Sequence, residues 1–137
     1  MKEHQNGMSR RHFLGTGLAA AAAFTIVPRH VLGGNGFIPP SDQITLGFIG
    51  TGMQGRGLMG SFANKARIIA ACDVESRKLD RFKTLTEEQY TQLGSSAKGL
   101  KTFKDFRDLL KNKEIDAVVI ATPDHWHAIQ VIEAAKA

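Results

Sequence analysis

The chain has 137 residues, 42% of them hydrophobic and 23% charged, and only the portion after the first thirty-odd reads as a folded unit, enough for one small core. Its formal charge of +5 is inflated by the leading segment: setting aside Lys2, Arg10, Arg11, Arg29 and Glu3 leaves 14 basic against 12 acidic side chains. That near-balance, with no patch of interleaved aromatic and basic residues, gives no case for a nucleic-acid partner. Cys72 is the single cysteine, which excludes an internal disulfide; at the end of an apolar run it reads as a small core residue.

Residues 1–33 are expected to be an export leader. Ser9-Arg10-Arg11-His12-Phe13-Leu14 has the paired arginines of a twin-arginine signal, and Gly15 to Val27 is an apolar stretch of thirteen residues containing five consecutive alanines. A membrane-spanning helix needs about 20 apolar residues, so this stretch is too short to be one. Pro28, Arg29 and His30 close it, and cleavage is expected near Leu32-Gly33-Gly34. The segment from 34 to 43, rich in glycine and proline, reads as an extended tether. The expected destination is the periplasm, reached through the twin-arginine export machinery, which carries proteins already folded.

From residue 44 to 137, apolar strands alternate with helical patterns. A strand at Ile44–Ile49 precedes a helix from about Met53 to Asn64, with Leu58, Met59, Phe62 and Ala63 on one face. Gly57 and Gly60 inside that helix cost roughly 1 kcal/mol each in propensity, which suggests close packing or a nearby ligand. A second strand spans Arg67–Cys72, and a long polar helix spans Ser76–Gln92 with Leu79, Phe82, Leu85 and Tyr90 towards the core. A loop around Gly94–Gly99 leads to a short strand at Lys101–Phe103. A brief helix opened by Asp105 as N-cap follows, carrying Phe106, Leu109 and Leu110. Ile115–Ala121 is a near-continuous apolar run, the pattern of a strand buried on both faces. The last helix starts near Asp124 with Ala128, Val131, Ile132 and Ala135 as its apolar stripe. This βαβαβαβα order, with right-handed crossovers, predicts an α/β fold: a Rossmann-like, doubly wound parallel sheet. The final helix is still in register at Ala137, so the unit is read as incomplete and C-terminally truncated.

Two motifs carry chemistry. Gly50, Gly52 and Gly55 fit G-x-G-x-x-G between the first strand and its helix, and Asp73 ends the second strand 23 positions after Gly50. Gly50 permits the tight turn, Gly52 lets backbone N–H groups approach a pyrophosphate, and Gly55 lets the helix pack closely. The helix N-terminus offers donors and partial positive charge to phosphates. Asp73 is placed to accept from a ribose diol and would repel a 2′-phosphate, so NAD is favoured over NADP. The second motif is Thr122-Pro123-Asp124-His125-Trp126-His127, where the fourth strand meets its helix at the ligand-binding edge of an open α/β sheet. Asp124 caps the helix or reaches a ligand, and His127 is a hydrogen-bonded helix residue or a cofactor neighbour. Trp126 packs or offers a platform, and Arg77 is a solvated charge or an adenine neighbour. His125 and His127 are two apart, the wrong spacing for a metal pair on one helix face, and no metal site is expected.

Taken together, Leu46–Gly57 and Ala117–Ala128 resemble the N-terminal domain of the Gfo/Idh/MocA oxidoreductases, over essentially all of residues 44–137, in the style of the exported bacterial members. The resemblance implies a Rossmann domain followed by a second α/β domain, absent from this sequence, that carries the substrate site and the oligomer contacts of a homo-oligomer. It implies cofactor contacts at Gly50, Gly52, Met53, Gln54, Gly55, Asp73, Thr122, Pro123, Asp124 and His127, the last four lining the nicotinamide half. The family's E-K-P segment, with the lysine that handles the proton, would begin within about ten residues beyond Ala137, so no catalytic residue is assigned here. The implied activity of the full-length protein is NAD-dependent hydride transfer on a sugar or polyol. The alternatives are an NAD-dependent glycoside hydrolase of the same family and a non-catalytic cofactor-binding fragment.

Overall fold

A computed structural model describes residue 39, residues 42–95 and residues 99–137. Residues 1–33, expected to be an export leader, nearly all of the expected tether at 34–43, and the middle of the loop at 94–99 lie outside the described residues. The unit from Asp42 to Ala137 alternates strand and helix throughout. Its elements are β1 (Thr45–Ile49), α1 (Met53–Phe62), β2 (Arg67–Cys72), α2 (Ser76–Gln92), β3 (Lys101–Phe103), α3 (Phe106–Leu110), β4 (Ala117–Ile120) and α4 (Asp124–Lys136). All pairings are parallel and the sheet order is β3-β2-β1-β4. The chain therefore builds outward from β1 through β2 to β3 and then crosses back to place β4 on the other side of β1. That reversal is the switch point, where adjacent strand-to-helix turns diverge and leave a crevice at the carboxyl edge.

Alternation along the strands divides the core in two. Leu46, Phe48, Ile68 and Ala71 face α1 and α2, meeting Met59, Ala63, Leu79, Phe82 and Tyr90. Phe48 and Phe82 are both fully buried, with ring centroids 5.2 Å apart and tilted. On the other face Ile49, Ala70 and Cys72 meet Phe106 and Leu109, with Ile115, Val118 and Ile120 partly covered. The β1–β2 register shifts between Leu46 and Gly47, so that Leu46 pairs with Ile68 and Gly47 with Ala70, leaving Ile69 as the extra residue of a bulge. Tyr90 closes the start of β2 from α2: its hydroxyl accepts from Ile68 N–H at 2.9 Å and donates to the Ala66 carbonyl at 3.0 Å. Burial pushes the Tyr90 phenol up, against the lowering effect of the Ile68 bond.

Two expectations about the far end of the sheet fail. The apolar run at 115–121 is not a strand buried on both faces: β4 is shorter, pairs among the described residues only with β1, and its residues are half-exposed or exposed. The stripe expected to bury α4 is exposed as well, with Val131 and Ile132 each 53% accessible. A helix of a doubly wound sheet buries its stripe against strands on either side of its own. Among the described residues the sheet ends at β4, and the main contacts of α4 are with β4 and α3. Of the two readings of the glycines inside α1, close packing fails. A Cβ on Gly57 or Gly60 would meet nothing within 4 Å, so neither is held by close packing.

Candidate cofactor-binding cleft at the switch point

The turn after β1 is built by contacts that a side chain would break. Gly50 has φ +93°, a conformation L-residues avoid, and its N–H donates to the Cys72 carbonyl at 2.8 Å. A Cβ there would also strike the backbone of Ala121 at 2.7 Å and the Thr122 methyl at 3.0 Å. Gly50 is thus required both by its own torsion and by the approach of the β4–α4 turn. A Cβ on Gly55 would lie 2.2 Å from the Gly50 carbonyl oxygen, so its absence lets α1 begin directly against the turn. Apart from its chain neighbours, nothing lies within 4 Å of where a Gly52 Cβ would be, leaving the backbone open to the crevice. It is the N-cap of α1, with no side-chain cap bond, and the first turn of α1 holds no acidic residue. The first helical bond runs from Arg56 N–H to Gly52 at 3.0 Å, so the N–H groups of Met53, Gln54 and Gly55 have no partner within the helix. An uncapped helix start of this kind suits an anion.

Asp73 fastens this turn to β2. Its Oδ2 accepts from Thr51 N–H at 2.9 Å and from the Thr51 hydroxyl at 3.0 Å, while Oδ1 accepts from Glu75 N–H at 3.0 Å. Thr51, fully buried between the first two glycines, is a polar residue that sequence reasoning passed over. Its signal was there: a hydroxyl residue at the x of G-x-G with a carboxylate at the end of the next strand. The β2–α2 turn is tied in turn to the segment after β3. Asp73 N–H donates to the Phe103 carbonyl at 3.2 Å, and the Lys104 ammonium reaches the Val74 carbonyl at 3.4 Å and the Ser76 hydroxyl. Asp105 caps α3 as expected, accepting from Arg107 N–H at 2.9 Å, and that bond is the main cause holding its carboxyl below the usual range.

Thr122 stands at the other side of the cleft. His127 Nε2 donates to its carbonyl at 2.7 Å, and its hydroxyl donates to Gln130 Oε1 at 2.5 Å. Asp124 is the first residue of α4 and makes no cap bond; the N-cap position belongs to Pro123. These turns enclose one crevice of about 680 Å³, whose wall includes Gly50, Gly52, Met53, Gln54, Asp73, Thr122 and Pro123. Gly55, Asp124 and His127 stand outside that wall: Gly55 supports the turn from beneath, and His127 is turned back onto Thr122. Cys72, Lys104, Trp126 and Gln130 join the wall, as does Lys78, paired with Glu75 at 2.8 Å; Arg77 does not. Burial, then the carboxylates of Asp105, Asp73 and Asp108, push the Cys72 thiol up to about 12, so it stays protonated. Among the described residues no cluster of His, Cys, Asp or Glu is arranged to hold a metal ion, and no helix is long and apolar enough to cross a membrane.

An acceptor at the end of β2, a bare helix start in the middle and a polar turn at the end of β4 suit a nucleoside, a diphosphate and a second nucleoside in that order. Known proteins agree with this geometry. A glycosyl hydrolase family 109 protein of Shewanella pealeana is 33% identical over 141 residues, covering 91% of this chain and 30% of that protein. The crystal structure of scyllo-inositol dehydrogenase from Lactobacillus casei, with NAD(H) and scyllo-inositol bound, matches with a TM-score of 0.51 at 30% identity, over 69% of this chain and 25% of that one. A probable dehydrogenase from Thermotoga maritima matches with a TM-score of 0.53 at 27% identity, over 68% and 25%. The chain thus spans about a third or less of the length of these relatives. The profile of the oxidoreductase family with an NAD-binding Rossmann fold matches residues 44–137. The chain belongs to the Gfo/Idh/MocA oxidoreductase family and carries its NAD-binding Rossmann fold.

Proposed function

We propose that residues 44–137 are the cofactor-holding part of an exported oxidoreductase that acts on a sugar or polyol. The observation that carries this reading is the convergence of Asp73, the uncapped start of α1 and the Thr122–Pro123 turn on one crevice. Asp73 accepts from a hydroxyl of the adenosine ribose, the N–H groups of Met53, Gln54 and Gly55 receive the pyrophosphate, and the β4–α4 turn borders the nicotinamide half. When bound, NAD supplies a hydride acceptor; the residues of this chain bind and orient it, and none is assigned to take the proton. A polyol substrate is supported by the scyllo-inositol in the Lactobacillus casei structure. Export rests on Arg10 and Arg11 before the apolar stretch and leads to the periplasm. Loading the cofactor before folded export would suit that route. A homo-oligomer is proposed for the longer protein.

A second reading is favoured by the relatives named glycosyl hydrolase family 109: a glycosidase that keeps NAD bound and oxidises the sugar transiently to eliminate the aglycone. Titration of NAD into the purified chain, followed by calorimetry and by thermal unfolding, tests cofactor binding; no heat and no shift at millimolar NAD would sink it. In the longer protein, net NADH formation with a polyol supports the dehydrogenase. Aryl-glycoside cleavage without net NAD consumption supports the glycosidase. Replacing Arg10 and Arg11 by lysine should block export of a reporter fused after residue 43, and unchanged export would remove the twin-arginine reading.

A further inference from the structure

Gln130 is an anomaly of α4. The helix leaves Ile129, Val131 and Ile132 exposed and buries a glutamine, which is only 4% accessible. Burying an amide is unfavourable unless it is hydrogen-bonded, and the Gln130 oxygen receives the Thr122 hydroxyl at 2.5 Å. Three residues earlier on the same helix face, His127 Nε2 holds the Thr122 carbonyl at 2.7 Å. Both polar side-chain and carbonyl atoms of Thr122 are therefore gripped by α4. Its remaining branch, the methyl, faces Gly50, where a Cβ would come within 3.0 Å of it. Thr122 is the point at which the β4–α4 turn touches the glycine turn, and Gln130 itself borders the cleft.

We propose that Gln130 is a positioning residue for the nicotinamide half of the dinucleotide, acting through the rotamer of Thr122. The inference rests on the cofactor reading above and deepens it. With Asp73 at the end of β2 and the diphosphate at the start of α1, the strand order β2-β1-β4 leaves the second nucleoside only the β4 side. A hydroxyl fixed by Gln130 keeps the Thr122 methyl against Gly50 and its backbone at the cleft wall. Without that bond Thr122 χ1 is free to turn its methyl or hydroxyl into the space the ring needs.

The test compares NAD with ADP-ribose, which lacks only the nicotinamide, by calorimetric titration of the full chain. Gln130→Met should weaken NAD about tenfold, the equivalent of 1.4 kcal/mol, and leave ADP-ribose within about twofold. Thr122→Val, which keeps the shape and removes the hydroxyl, should give the same pattern, and Thr122→Ser should restore NAD affinity. The double variant Gln130→Met, Thr122→Val should be no worse than either single one, because both remove the same bond. If Gln130→Met does not fold, as judged by circular dichroism, the Thr122 pair carries the test. Equal weakening of NAD and ADP-ribose would reduce Gln130 to a structural prop, and unchanged NAD affinity would also overturn the proposal. If the wild-type chain binds neither ligand, the cofactor reading falls and this one with it.

Discussion

Replacing Asp73 by asparagine removes a charge and one acceptor with almost no change of shape. The wild-type carboxylate accepts three hydrogen bonds, two from Thr51 on Oδ2 and one from Glu75 on Oδ1. Asparagine has a single acceptor oxygen, and its amide group must then face either Thr51 or Glu75, both of which present N–H donors. The better orientation keeps the oxygen on Thr51 and sets the amide against Glu75 N–H, losing one charge-assisted bond and neutralising the other two. Bonds to charged groups contribute about 1.5–3 kcal/mol each when sheltered, and Asp73 is only half-buried, so a net loss of about 1–3 kcal/mol is expected. For a unit of this size each kcal/mol moves Tm by roughly 4–8 °C. Urea and thermal unfolding of the full chain measure that term. Parallel titrations should show NAD binding weakened about tenfold, with the preference over NADP narrowed because the carboxylate no longer repels a 2′-phosphate. A variant within about 0.3 kcal/mol of wild type, with NAD affinity unchanged, would refute both the tie and the ribose assignment.

Gly57→Ala and Gly60→Ala, at exposed helical positions with open space around the new methyl, should each stabilise the chain by about 0.5–1 kcal/mol in urea unfolding; destabilisation would mean that the new methyl meets a neighbour after all. The Asp116 carboxyl is held below its ordinary value chiefly by the Thr45 N–H, then by the Thr45 hydroxyl, both at 2.8 Å from Oδ2. A lowered native pKa gives stability that is present above the ordinary carboxylate value near 3.8 and is lost as pH falls through the native one, so Asp116→Asn should lower Tm at neutral pH, converge with wild type in acid, and so flatten the acid limb of Tm against pH. The Cys72 thiol should resist disulfide reagents at pH 8 until the chain unfolds. Because its native pKa of about 12 lies above the ordinary 9.0, its contribution is complete below pH 9 and disappears between pH 9 and 12 as the unfolded thiol ionises; rapid labelling of native protein at pH 8 would contradict this.

The segment from β1 to α3 was legible because its periodicity and its neighbours agree. Phe48 and Ile68 alternate in strands that do have helices across from them, Asp105 does cap its helix, and β2, α2 and β3 lie where the pattern places them. The parallel, Rossmann-like architecture followed from that order. The far side was misread for a physical reason: periodicity records which residues favour burial, whereas burial itself depends on what stands opposite. Val131 and Ile132 have the pattern of a buried stripe and no element opposite them among the described residues. Gln130 was invisible because a glutamine between isoleucine and valine reads as solvent-facing until Thr122 is seen across the turn. The tight turn at Gly50 and the close approach at Gly55 were legible, but the reason Gly50 cannot carry a side chain is partly a second turn, 71 residues further on, that no local pattern reveals.

The grip of α4 on Thr122 has a consequence for how precisely the cleft is defined. Apolar contact is non-directional, and a helix held by it alone can slide or roll by fractions of an ångström at little cost. Hydrogen bonds fade steeply with angle and distance. By seating α4 on a carbonyl and a hydroxyl of one residue, through side chains three positions apart, the fold converts the helix from a greasy surface into an indexed part. Its rotation about its own axis and its advance along it are both set by the same threonine, so this wall of the crevice has one register rather than a range of them.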